Sequence, residues 1–104
     1  MKLTKDEITR RLRVYQTYVS SNYGLKSIGL FGSYATGTAT EKSDVDLIVE
    51  FDEPIGLRFV EFTGFLEDLL GEKMDILTPV GLKNIRNPKI AQTIEESVIY
   101  VQVV

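Results

Sequence analysis

The chain has no cysteine, no histidine and no tryptophan, and only three prolines. Without cysteine there is no disulfide, no thiolate nucleophile and no cysteine zinc site. Without histidine the commonest general base and transition-metal ligand are missing, and a serine–histidine–aspartate triad is impossible. Any chemistry must rest on carboxylates, lysines, hydroxyls, backbone amides or a metal held by oxygen, and oxygen ligands suit hard cations such as Mg²⁺ and Mn²⁺. No apolar run reaches membrane-spanning length. The opening "MKLTKDEITRRLRVY" is charged throughout and lacks the apolar core of a signal peptide. The expectation is a cytoplasmic protein that does not engage membranes. A formal net charge of −3 argues against a general nucleic-acid binder, which carries a basic surplus. "RRLR" at Arg10–Arg13 reads as a solvated helix face.

What is present suits one small domain spanning residues 1–104. Thr4 with Glu7 three residues on is a capping-box pattern, and Ile8, Leu12, Tyr15 and Val19 recur at helical spacing to about Asn22. "SIGLF" (Ser27–Phe31) reads as a buried strand, "GSYATG" as a turn into a short helix, and "DVDLIVEF" (Asp44–Phe51) as the clearest strand. "LRFVEFTGFLEDLLG" forms a helix with Phe59, Phe62, Leu66 and Leu69 on one stripe, closed by Gly71. "KMDILT" (Lys73–Thr78) is a third strand that Pro79 ends. Pro88 opens a last helix with Ile90, Ile94 and Val98 facing inward, and "VIYVQVV" is open between helix and strand. The expected fold class is α+β (α/β-like), a small mixed sheet flanked by helices.

Asp44 and Asp46 are the anomaly, because aspartate is disfavoured in strands. Residues two apart project from the same strand face, roughly 7 Å apart at about 3.3 Å rise per residue. Two carboxylates so placed repel each other and lose hydration beside an apolar core. A divalent cation turns that repulsion into binding. The plainer alternative makes Asp44 a turn cap and Asp46 a solvent-facing strand residue. Asp75, alone at the centre of "KMDIL", repeats the oddity, and three acidic residues on adjacent strands suit one or two Mg²⁺ ions clamping a phosphoryl group. Gly32 follows a strand and precedes a short helix, so it lets phosphate oxygens approach the backbone, and Ser33 adds a hydroxyl. A simple strand-to-helix turn would look the same. "GSYATGT" is no P-loop, since Thr38 stands where its lysine belongs, and "DVDLIVEF" lacks the glycine of an EF-hand.

The full order, a strand, Gly32-Ser33, a spacer, Ser43-Asp44-Val45-Asp46-Leu47 and a later Asp75, resembles the nucleotidyltransferase superfamily that includes DNA polymerase beta. The ending "DILTPVGLKNIRNPKIAQTIEESVIYV" is similar to that of the minimal nucleotidyltransferases, typically encoded beside a helical HEPN-family partner that often acts as an RNase toxin. The resemblance implies an antitoxin that transfers AMP from ATP to a partner hydroxyl, commonly a tyrosine. Gly32 and Ser33, with Ser43, would then hold the triphosphate. Asp44, Asp46 and Asp75 would be both the metal ligands and the catalytic carboxylates, with two Mg²⁺ ions and Asp75 helping to activate the acceptor. A hetero-oligomer with the toxin is implied, and direct nucleic-acid binding is not. One departure stands out: Thr36 occupies the place before the second glycine where this branch often carries arginine, and Lys42 or Lys26 is then the candidate substitute. Two other readings stay open. One is neutralisation of the toxin by contact alone, through Phe59 or Phe65 in "LRFVEFTGF"; the other is transfer to a small-molecule hydroxyl.

Overall fold

A computed structural model describes residues 3–101. Helix α1 (Lys5–Tyr23) begins where Thr4 accepts a hydrogen bond from the Glu7 N–H at 3.2 Å and donates its own hydroxyl to Glu7 Oε1 at 3.3 Å. The cap therefore uses both residues of the expected pair. Its buried stripe is Ile8, Leu12, Gln16, Val19 and Tyr23. Gln16 takes the inward place expected of Tyr15, which lies 42% exposed, and Gln16 Nε2 donates to the Val101 carbonyl at 3.3 Å.

Strand β1 (Leu25–Phe31) leads through α2 (Gly32–Thr36) to β2 (Val45–Phe51), α3 (Arg58–Leu70) and β3 (Met74–Leu77). Then follow α4 (Pro79–Lys83), α5 (Pro88–Ser97) and β4 (Ile99–Val101). The sheet order is β3-β2-β1-β4, with β1 antiparallel to both β2 and β4, and β2 parallel to β3. Strand alternation buries Ile28, Leu30, Val45, Leu47 and Val49 with Ile8, Leu12, Phe62 and Leu66 of α1 and α3. The other sheet face carries Asp46 and Asp75.

Two features depart from expectation, and one that was open is decided. Helix α4 is additional, and its start is legible after the fact: the Thr78 side chain accepts from the Gly81 N–H, with Pro79 in the first turn. Helix α5 has no fully buried residue, and Ile90 is 51% exposed rather than inward-facing. "VIYVQVV" resolves in part as strand β4, edge-on to β1, with Val101 buried; positions 102–104 lie outside the described residues.

Gly29 makes this last pairing possible. A Cβ there would stand 2.5 Å from Val98 Cγ1 and 3.1 Å from the Tyr100 ring. Gly29→Ala is expected to cost about 1–3 kcal/mol by overpacking and to loosen β4 first. Urea unfolding with hydrogen exchange on Tyr100 and Val101 would check this, and wild-type protection in the variant would refute it.

Candidate active site

The candidate face is built by register. Phe31 of β1 pairs with Asp46 of β2, and Asp46 pairs with Asp75 of β3, so the two carboxylates are cross-strand neighbours on one face. Asp44 lies one residue before β2 and is exposed, as is Asp75, while Asp46 is half-buried between them. Val45, which separates Asp44 and Asp46, is locked to the start of β3 by its N–H to the Lys73 carbonyl at 2.9 Å. None of the three aspartates forms an ion pair among the described residues. Burial, then the charge of Asp75, then that of Asp44, pushes the Asp46 carboxyl up to about 6.

Gly32 closes over this group. Its φ is +74°, a left-handed conformation that favours glycine, and an added Cβ would run into the Asp46 carboxylate. The turn is therefore held against Asp46 with no side chain between them, and Ser33 stands in the first turn of the five-residue α2.

Ser43 is engaged locally: its Oγ accepts the Thr40 N–H at 2.9 Å, and its own N–H donates to the Thr40 carbonyl at 3.0 Å. It thereby folds the loop that delivers Asp44. The Thr36 hydroxyl is turned back onto its own helix, 3.3 Å from the Gly32 carbonyl and 2.9 Å from Thr38 Oγ1. Lys26 lies near the opposite end of β1 from Gly32, paired with Glu50 at 3.5 Å, so it is far from the turn where it was expected to substitute for an arginine. Lys42 sits exposed in the loop before Ser43. Sequence reasoning missed the Thr40–Ser43 turn, whose local signal is the Thr40 hydroxyl, which accepts the N–H two residues on at Lys42 at 3.3 Å. Beside Asp44 opens a cavity of about 540 Å³ with Glu67, Glu72 and Lys73 on its walls.

The donor set tests the implied metal. All candidate ligands are carboxylate oxygens, the preference of Mg²⁺. Burial first, then the charges of Asp75 and Asp44, raises the Asp46 carboxyl, and no ion pair among the described residues offsets them. Among the described residues no three such groups converge closely enough to form a cage by themselves. An open carboxylate pair fits a cation whose remaining ligands come from water and substrate phosphate, which is how Mg²⁺ is usually held.

A mixed sheet presenting a glycine turn and in-register carboxylates on one face defines a nucleotide-transferring protein. The chain belongs to the nucleotidyltransferase domain family, whose model matches residues 12–101. It is 40% identical over 100 residues to protein adenylyltransferase MntA of Thermococcus cleftensis, covering 95% of this chain and 97% of that one. A Methanocaldococcus jannaschii protein, named as a candidate protein adenylyltransferase, is 45% identical over 101 residues, covering 94% and 98%. Among solved structures, one described as a candidate minimal nucleotidyltransferase superposes with TM-score 0.70 at 28% identity, covering 93% of this chain and 95% of that one. A tri-AMPylated Shewanella oneidensis HEPN toxin in complex with MNT antitoxin gives 0.60 at 15% identity, covering 97% and 74%, a likeness of fold.

Proposed function

We propose that this protein is an ATP-dependent protein adenylyltransferase that modifies a hydroxyl, commonly a tyrosine, of a HEPN-type toxin in the cytoplasm and so acts as its antitoxin. The observation that carries the reading is Asp46, half-buried and uncompensated, between Asp75 in register on one side and the side-chain-free turn at Gly32 on the other. Relatives named protein adenylyltransferase over nearly their whole length support it.

In this reading Gly32 and Ser33 receive the β- and γ-phosphates, and Asp44, Asp46 and Asp75 are the carboxylates that would hold Mg²⁺ beside the α-phosphate. Mg²⁺, when bound, supplies neutralisation of the charge that gathers on the phosphate oxygens. Asp75, on the far side of Asp46 from Gly32, accepts the proton of the incoming hydroxyl. A bond forms between the acceptor oxygen and the α-phosphorus. The bond from that phosphorus to the bridging oxygen of the β-phosphate breaks, and pyrophosphate leaves on the Gly32 side. Positioning and charge neutralisation supply most of the catalysis. Ser43 contributes by holding the loop before Asp44.

A second reading, neutralisation by contact alone, has one observation in its favour. Tyr15 and Tyr18 are 42% and 49% exposed around Phe65, with Tyr18 stacked on that ring at 5.1 Å, and Val14 is 70% exposed nearby on α1. Phe59 and Phe65, the residues expected to make that contact, are both half-buried. Intact-mass spectrometry of the protein mixed with its chromosomally adjacent toxin, ATP and Mg²⁺ separates the readings. The expected result is a toxin heavier by one or more adenylyl groups. A stable complex with unchanged masses would favour contact and count against transfer.

A further inference from the structure

The carboxylate face carries a second row of residues directly below the first. Tyr100 pairs with Gly29, Gly29 with Ile48, and Ile48 with Leu77, across all four strands. Each lies two residues from the row of Phe31, Asp46 and Asp75 or opposite one that does, so the two rows share a face, separated by roughly 7 Å along the strands. The second row contains no charge.

Within it, exposure is uneven. Ile48 is buried, and Leu77 is covered by Gly81 of α4, where a Cβ would meet Leu77 Cδ1 at 2.9 Å. Gly29 is covered by Val98 Cγ1 and by one edge of the Tyr100 ring, and Tyr100 is 55% exposed. Strand spacings of about 4.8 Å put its Cα about 12 Å from that of Asp46.

This geometry has a direction, given the reaction proposed above. Acceptor and pyrophosphate lie on opposite sides of the α-phosphate along the first row, from Asp75 to Gly32. The nucleoside must leave that line along the strands, toward the cavity beside Asp44 or toward the second row; that cavity is lined by no aromatic side chain, whereas the second row carries one. Its only ring free to be covered is Tyr100. An aromatic face is what a purine seeks, and base–aromatic stacking is worth about 1–3 kcal/mol per base.

We infer that Tyr100 is the platform on which the nucleobase of the donor nucleotide stacks, and hence a residue that positions ATP for the reaction. The inference rests on the adenylyltransferase reading and adds to it the place of the base.

Calorimetric binding of AMP-PNP and of inorganic tripolyphosphate, both with Mg²⁺, tests it on wild type, Tyr100→Thr and Tyr100→Phe. Threonine keeps strand propensity at this edge position, and thermal unfolding of each variant verifies the fold. Tyr100→Thr is expected to weaken AMP-PNP about tenfold or more and to leave tripolyphosphate unchanged, while Tyr100→Phe binds both like wild type. In the transfer reaction Tyr100→Thr raises KM for ATP with kcat little altered. Unchanged AMP-PNP binding in Tyr100→Thr, or equal loss of both ligands, overturns the platform. So does retained AMP-PNP binding with loss of toxin binding, which would make Tyr100 an interface residue. Wild type that binds tripolyphosphate as tightly as AMP-PNP overturns the platform alone; wild type that binds neither overturns the transferase reading as well.

Discussion

Asp46→Asn is expected to abolish adenylyl transfer, on the order of 10³-fold or more in turnover, and at the same time to make the metal-free protein more stable at neutral pH. Loss of activity alone would fit many roles. The gain in stability is the diagnostic half, because it follows from a carboxylate kept in place against its own electrostatics. Asp46 is half-buried, has no ion-pair partner among the described residues and faces Asp75 and Asp44. Burial and those two charges raise its carboxyl from 3.8 to about 6 in the fold. A carboxyl raised on folding holds its proton more tightly folded than unfolded, so stability falls as pH rises between about 4 and 6 and stays lower above that range. Asparagine imitates the neutral form. The variant should match wild type near pH 4 and exceed it at pH 8 by about 1–2 kcal/mol once solvent screening of this part-exposed group is allowed for. Thermal unfolding in chelator at the two pH values reads this directly. A variant less stable than wild type at pH 8 would mean that Asp46 is a structural residue. Added Mg²⁺ should stabilise wild type and leave the variant nearly unmoved.

Gly32→Ala should also come close to inactivating the protein, for a reason separable from backbone strain. At φ +74° any Cβ is strained, and at this position it also meets the Asp46 carboxylate. Gly37 supplies the control: its φ is +80° and nothing lies within 4 Å of an added Cβ. Both alanine variants should lose about 1–2 kcal/mol of stability through the left-handed backbone. Only Gly32→Ala must displace the turn or the carboxylate, and a misplacement of about 1 Å in a reacting group can cost 10²-fold. Expected, then, is a loss of about 10² in kcat/KM for Gly32→Ala against a small change for Gly37→Ala. Equal activity in the two variants would show that the close approach of turn and carboxylate does not matter.

Much of this site is legible in the primary structure because its signals are local. Thr4 and Glu7 announce a cap, Gly24 and Gly71 end their helices in left-handed conformations, and an aspartate in a β-branched run marks itself by the cost of putting it there. What was misread depended on partners distant in the chain. Gln16 took a core place because the Val101 carbonyl, 85 residues on, accepts its amide. Ile90 stayed half exposed because none of the described residues covers it fully. Lys26 was a plausible phosphate ligand until the pairing of β1 with β2 set it beside Glu50 at the other end of the strand.

By itself the chain of 104 residues determined the chemistry open to it: oxygen ligands only, a glycine turn, and carboxylates two residues apart where a strand begins. These follow from residue type and from backbone periods of 2.0 and 3.6, which any segment carries with it. The tertiary structure decided which of those groups meet. Sheet order and register, set by the burial of Ile28, Leu30, Val45, Leu47 and Val49 beneath α1 and α3, put Asp75 opposite Asp46. They also put Gly32 against its carboxylate and Tyr100 at the end of the apolar row below. A slip of one residue in either pairing would turn those apolar side chains to water, so the same burial that stabilises the fold holds the carboxylates in their register.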